Sequence, residues 1–197
     1  MSLKRFIVIF GTLLLAAASF AVGQTKKYDL KSGIVTFETL TTEGRVTTAG
    51  KIVLYFDEYG RKECKDTYVG GMLTESVLSD GTNTYTVWHG MRVVFKRGPS
   101  TAGTEIRFDW EGIPDNRKHT LKKLPDVKIA DRPCEMYEQT KGTTSVRLAG
   151  WNHILLYRED LRAGGSRVLK AVRVDSVSAP GNKFLPPPAY EEKSALF

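Results

Sequence analysis

The side chains able to carry chemistry are few and scattered. Histidines stand at His89, His119 and His153, and none has a second histidine, a cysteine or a carboxylate at a zinc-ligand spacing such as H-E-x-x-H. His89 falls in a strand-like stretch and reads as a hydrogen-bonded strand residue rather than a ligand. The chain has no G-x-S-x-G elbow, no G-x-x-x-x-G-K-[ST] loop and no G-x-G-x-x-G turn. Carboxylates adjoin one another at Asp57-Glu58, Glu159-Asp160 and Glu191-Glu192, each at a turn or in the tail, where charge stays solvated. A glycosidase pair needs two carboxylates held about 5–10 Å apart in a cleft, and nothing in the spacing points to one. No catalytic residue, metal ligand or cofactor is therefore assigned, and the chain is not expected to be an enzyme. Trp88, Trp110 and Trp151 could build a stacking surface, but isolated tryptophans in a strand-rich chain more often pack a core or its rim.

The N-terminus sets the compartment. Lys4 and Arg5 precede an apolar run from Phe6 to Ala18, and Ala21 and Gly23 are small residues two apart. This is the three-part pattern of a secretory signal, with cleavage expected after Gly23. Residues 1–23 are thus a leader, and 24–197 form one domain that is periplasmic or secreted after cleavage. The uncleaved alternative, a membrane anchor, would want roughly 20 apolar residues.

Export places Cys64 and Cys134 in an oxidising compartment, where an isolated pair favours a disulfide. Closing that loop would contribute roughly 4 kcal/mol through chain entropy. The other reading is two reduced thiols with Cys134 buried.

Without Lys4 and Arg5 the remaining chain keeps a net charge of +5 against its 22 acidic side chains. Basic residues are densest at Lys96-Arg97, Arg117-Lys118 and Lys122-Lys123 but are otherwise interleaved with acids. Export argues against nucleic acid as a partner. The excess fits a solvated surface, or contact with an anionic membrane surface or an envelope protein.

Turn signals recur along the chain, at Thr42-Glu43-Gly44, Asp57-Glu58-Tyr59-Gly60, Val69-Gly70-Gly71, Ser79-Asp80-Gly81, Lys141-Gly142 and Ala163-Gly164-Gly165. Between them lie short segments rich in Val, Ile, Thr, Tyr and Phe, the residues of strands. Ile52, Leu54 and Phe56 share a face by alternation. Tyr85, Val87, His89, Met91, Val93 and Phe95 do so as one half-buried strand, or else a tight hairpin bends at Gly90. Val168, Val172 and Val174 line up, as do Val146, Leu148, Ile154 and Leu156, with Gly150 marking a kink or bulge. No sustained helical stripe appears. Residues 98–131 carry Pro99, Pro114 and Pro125 and read as loops. Pro186-Pro187-Pro188 favours an extended segment before a frayed tail. The expected class is mainly β, a curved antiparallel sheet forming a half-barrel or small barrel with little helix.

Several segments in order, Leu54-Tyr55-Phe56-Asp57-Glu58-Tyr59-Gly60, Ile129-Ala130-Asp131-Arg132-Pro133-Cys134-Glu135, Trp151 to Tyr157 and Asn182-Lys183-Phe184-Leu185-Pro186, resemble exported bacterial proteins of the LolA/LppX-like class. The resemblance implies one highly curved antiparallel sheet with an apolar concave side, and in the better-known members a lipid or lipoprotein cargo. The helices that plug the concave side in the chaperone members have no counterpart stripe here, and their functional residues do not map onto this chain.

Two functional expectations follow. One is a periplasmic binding protein that holds a lipid or other hydrophobic ligand against Ile52, Leu54, Phe56, Val87, Met91, Val93 and Phe95, residues that equally form the core if the sheet is closed. The other is a non-catalytic envelope interaction protein presenting Arg92, Lys96, Arg97, Lys122 and Lys123 to an acidic surface.

Overall fold

A computed structural model describes residues 26–99, 107–108 and 121–194. The leader, Trp110, His119 and the end of the tail lie outside these residues.

The described chain is built of strands: β1 (Gly33–Glu43), β2 (Val46–Asp57), β3 (Lys62–Val69), β4 (Met72–Ser79), β5 (Asn83–Trp88), β6 (Val93–Pro99), β7 (Leu121–Ile129), β8 (Arg132–Lys141), β9 (Thr144–Trp151), β10 (Ile154–Arg162), β11 (Gly165–Asp175) and β12 (Glu191–Ser194). Short 3₁₀ turns at Glu58–Gly60 and Gly181–Phe184 are the helical pieces among the described residues.

Two-residue turns make six of the hairpins, and each places at least one residue at the positive φ that such tight connections need. Gly70-Gly71 adopts it without a side-chain clash. Asn152-His153 and Ala130-Asp131 adopt it with side chains, so neither turn is announced by a glycine, and the first sits inside a stretch that reads as continuous.

All twelve described strands join one sheet, in the order β12-β6-β5-β4-β3-β2-β1-β11-β10-β9-β8-β7. Two meanders, β1–β6 and β7–β11, meet where β1 pairs antiparallel with β11, Phe37 opposite Ala171. Every pairing is antiparallel except that of β12 with β6. The sheet ends at β12 and β7 and does not close into a barrel. It curls enough that β3 and β10 become the two walls of one cleft, with β2, β1 and β11 as its floor. This is the half-barrel form of the expected class.

Alternation divides the apolar residues between two faces. The inner, concave face carries Val35, Phe37, Leu54, Phe56 and Ala171, all buried, with Ile52 and Leu169 packed against them. The outer face carries Cys64, Leu78, Tyr85, Val87 and Val94. It is covered by the segment between β11 and β12, whose Ala179 and Phe184 are buried against it and whose Tyr190 packs beside them. The unbroken run Ile52-Val53-Leu54-Tyr55-Phe56 on β2 is the sequence trace of a strand buried on both sides.

Several local expectations change. Residues 121–129 are strand, not loop, and Pro125 sits at the irregularity between Leu124 and Val127 on an edge strand, where a missing N–H costs little. Val172 is the extra residue of a bulge, so Leu169, Ala171 and Val174 face the core while Val172 is exposed. The proline run leads through a turn, Tyr190 N–H donating to Pro187 C=O at 3.2 Å, into strand β12.

Candidate functional site

Two plugs fill part of the concave face. Ahead of β1, Tyr28 is fully buried and meets Phe56 edge to face, ring centroids 4.8 Å apart. Its hydroxyl donates to Glu63 Oε1 at 2.5 Å, and Lys27 Nζ lies 2.7 Å from both oxygens of the same buried carboxylate. Burial pushes the Lys27 ammonium below its usual range, against the pull of Glu63. Phe108 is the second plug. It packs on the inner cluster and Tyr137, held by its N–H donating to His153 C=O at 2.9 Å. Gly150 makes room for it, since a Cβ there would run into the Phe108 ring.

Beyond the plugs the concave face stays open as a cleft of about 370 Å³. Ile52 and Leu169 on the floor and Leu155 on the β10 wall give it an apolar lining. Thr39, Thr41, Thr48 and Thr67 surround it with hydroxyls, and Gly50 leaves room among them, where a Cβ would run into Thr39 Oγ1. Three cations line it, Lys65, Arg158 and Arg167, against one carboxylate, Asp160, which is taken by a two-point contact from Arg158 at 2.8 and 2.9 Å. A smaller cavity of about 260 Å³ lies beside Phe108, Trp151 and His153, where His153 Nδ1 and Asp29 Oδ2 are 3.1 Å apart.

The seven lining candidates separate. Ile52 lines the cleft, but Leu54 and Phe56 are sealed in the core beneath Tyr28. Residues 85–95 are a hairpin, with Arg92 at positive φ in its turn, and the turn reverses the face on which odd-numbered residues fall. Val87 is therefore buried on the outer face, opposite Val94. Val93 and Phe95 point inward with Trp88, whose ring meets Phe95 at 4.8 Å, while Met91 is exposed in the turn. None of these four reaches the cleft.

The cysteines do not form the expected disulfide. Both are free and buried, Cys64 on β3 in the outer cluster and Cys134 on β8 in the inner one, with five strands between them in the sheet. Burial raises both thiols, Cys134 to about 11. The basic residues proposed to act together are also dispersed. Arg92, Lys96 and Arg97 lie in or beside β6, Lys122 and Lys123 on β7 near the other end of the sheet, and Lys123 is bonded to Glu135 at 3.2 Å.

A buried polar chain on the outer face had no motif to announce it. Asp66 Oδ1 accepts from Ser76 Oγ at 2.5 Å and from Cys64 Sγ at 3.2 Å, and Asp66 Oδ2 accepts from Lys183 Nζ at 2.6 Å. Ser76 Oγ is 2.8 Å from His89 Nε2, and His89 Nδ1 is 3.2 Å from the Tyr190 hydroxyl. With the serine proton given to Asp66, His89 Nε2–H donates to Ser76 and Tyr190 O–H donates to Nδ1. Serine is thus bound to a carboxylate rather than poised for attack through the imidazole. The chain ties Lys183 and Tyr190 to β3, β4 and the turn after β5. Among the described residues there is no group of three or more His, Cys, Asp or Glu able to hold a metal, and no helix long and apolar enough to cross a membrane.

Fold and site together define an open half-barrel with a cleft in its concave face. No protein-family model matches the chain, and no curated protein sequence does. Among solved structures, an uncharacterized conserved protein from Thermus thermophilus aligns with 81% of this chain and 90% of its own at 10% identity and a TM-score of 0.54, a likeness of fold. The chain also resembles a LolA superfamily protein from Nitrosomonas europaea, at 10% identity, 81% and 92% coverage and a TM-score of 0.38. A putative outer membrane lipoprotein-sorting protein domain from Vibrio parahaemolyticus aligns at 12% identity, 78% and 88% coverage and a TM-score of 0.37. The last two are looser superpositions and carry no argument about site or cargo.

Proposed function

We propose that this chain is an exported binding protein that holds a lipid or other hydrophobic ligand in the concave cleft and performs no chemistry on it. The observation that carries the reading is the cleft. The concave face is packed by Tyr28 and Phe108 over part of its length and left open over Ile52, Leu155 and Leu169. Its volume falls at the lower end of the about 300–1,000 Å³ usual for small-molecule sites, room for one chain rather than a bulky cargo. Burying apolar ligand surface there drives binding at roughly 25 cal/mol per Å² before the cost of immobilisation. The leader directs the chain to the periplasm, with cleavage after Gly23.

Titration with a fatty acid carrying an environment-sensitive fluorophore tests the reading. Wild-type protein should enhance and blue-shift the emission, saturating at one probe per chain. Leu169→Trp, which fills the cleft floor, should abolish the signal while leaving the fold intact by circular dichroism. Equal binding by both proteins would place the ligand elsewhere and contradict the reading.

A further inference from the structure

Resting on that reading, we infer that the ligand is a single-chain amphiphile with an anionic head, and that Lys65 is the residue that selects for the charge. Lys65 stands on β3 with its side chain on the concave face, opposite Leu54 of β2 and Val77 of β4. It is half-buried and lines the cleft. Among the described residues it has no hydrogen bond or ion pair, unlike Lys27, which is held by Glu63. An ammonium partly removed from water without an acceptor is costly, and an anion entering the cleft relieves that cost while satisfying its own desolvated charge.

The remaining polar groups of the cleft agree. Asp160, its one carboxylate, is already engaged by Arg158 and leaves the lining net cationic. Thr67, two residues along the same face of β3, adds a hydroxyl donor beside Lys65. A cationic amphiphile would find no free carboxylate among these lining groups. Arg167 is exposed at the level of Thr41 and Thr48, six residues along β1 from the row that holds Lys65. It suits steering of the anion toward the entrance, an effect that salt screens, more than contact with the bound head.

Calorimetric titration with dodecanoate, dodecanol and dodecyltrimethylammonium separates the possibilities. Wild-type protein should bind dodecanoate about tenfold more tightly than dodecanol, and the cation weakest. Lys65→Met keeps the apolar stem and removes the charge. It should bring dodecanoate down to the dodecanol affinity and leave dodecanol unchanged, which also reports an intact cleft. Arg167→Gln should lessen the salt dependence but keep the preference. Equal binding of dodecanoate and dodecanol by wild type would overturn the anion inference and leave the carrier reading standing. Loss of the preference in Arg167→Gln but not Lys65→Met would overturn the assignment to Lys65. Failure of all three to bind would overturn the carrier reading itself.

Discussion

Tyr28 covers Phe56 edge to face with its hydroxyl on the buried Glu63 carboxylate, so the segment ahead of the first strand closes one end of the concave core. Truncation to Tyr28→Ala removes a fully buried aromatic and a hydrogen bond to a charged group together. It should cost about 3–5 kcal/mol in urea unfolding. Lys27→Met, which takes the ammonium from a carboxylate with no solvent exposure, should cost about 3 kcal/mol.

His89 links the buried Ser76–Asp66 pair to Tyr190, and burial lowers its affinity for a proton below the usual value of 6.5, with Lys183 adding to the effect and Asp66 opposing it. A histidine harder to protonate when folded leaves stability intact above the unfolded value. Stability then falls as pH drops through about 6.5 toward the lower folded value, because the unfolded chain takes up the proton first. Urea midpoints should therefore decline between pH 7 and pH 5, and His89→Phe should flatten that part of the profile while lowering stability at pH 7. Identical pH slopes for the two proteins would remove His89 from the account.

Cys64 and Cys134 should both be titratable by a thiol reagent in denaturant and slow to react in the native state, since each is buried and its thiol is raised by that burial. A mass two units below the reduced chain would show a bond the structure does not contain.

Gly150 gives Phe108 its place against the sheet. Gly150→Ala should displace that ring and cost roughly 1–3 kcal/mol, with the Phe108→Ala background absorbing most of the difference in a double-mutant cycle.

Much of the sheet is legible in the sequence, and the failures have physical causes. The alternation of Ile52, Leu54 and Phe56 gives the inner face of β2 correctly, because that strand is regular. The same logic fails from Tyr85 to Phe95 because a tight turn exchanges the faces between Val87 and Val93, and Gly90 offers the one hint of it. It fails again at Val172, where a bulge shifts the phase without a glycine or proline to mark it. The cleft was only partly readable. Its apolar lining mixes Ile52 of β2 with Leu155 and Leu169 from strands far along the chain, and its threonines and Lys65 look like ordinary strand surface until the sheet curls. The Asp66–Ser76–His89–Tyr190 chain spans residues joined by pairing and by the returning C-terminal segment, so no local spacing could announce it.

The central claim is that the open part of the concave face holds a ligand. Native mass spectrometry of the protein purified from its expressing cells, followed by organic extraction and identification of any released molecule, tests it most directly. The account predicts a stoichiometric added mass belonging to a single-chain anionic amphiphile, present in wild type and missing from Leu169→Trp. A bare polypeptide mass that takes up no added fatty acid would contradict it.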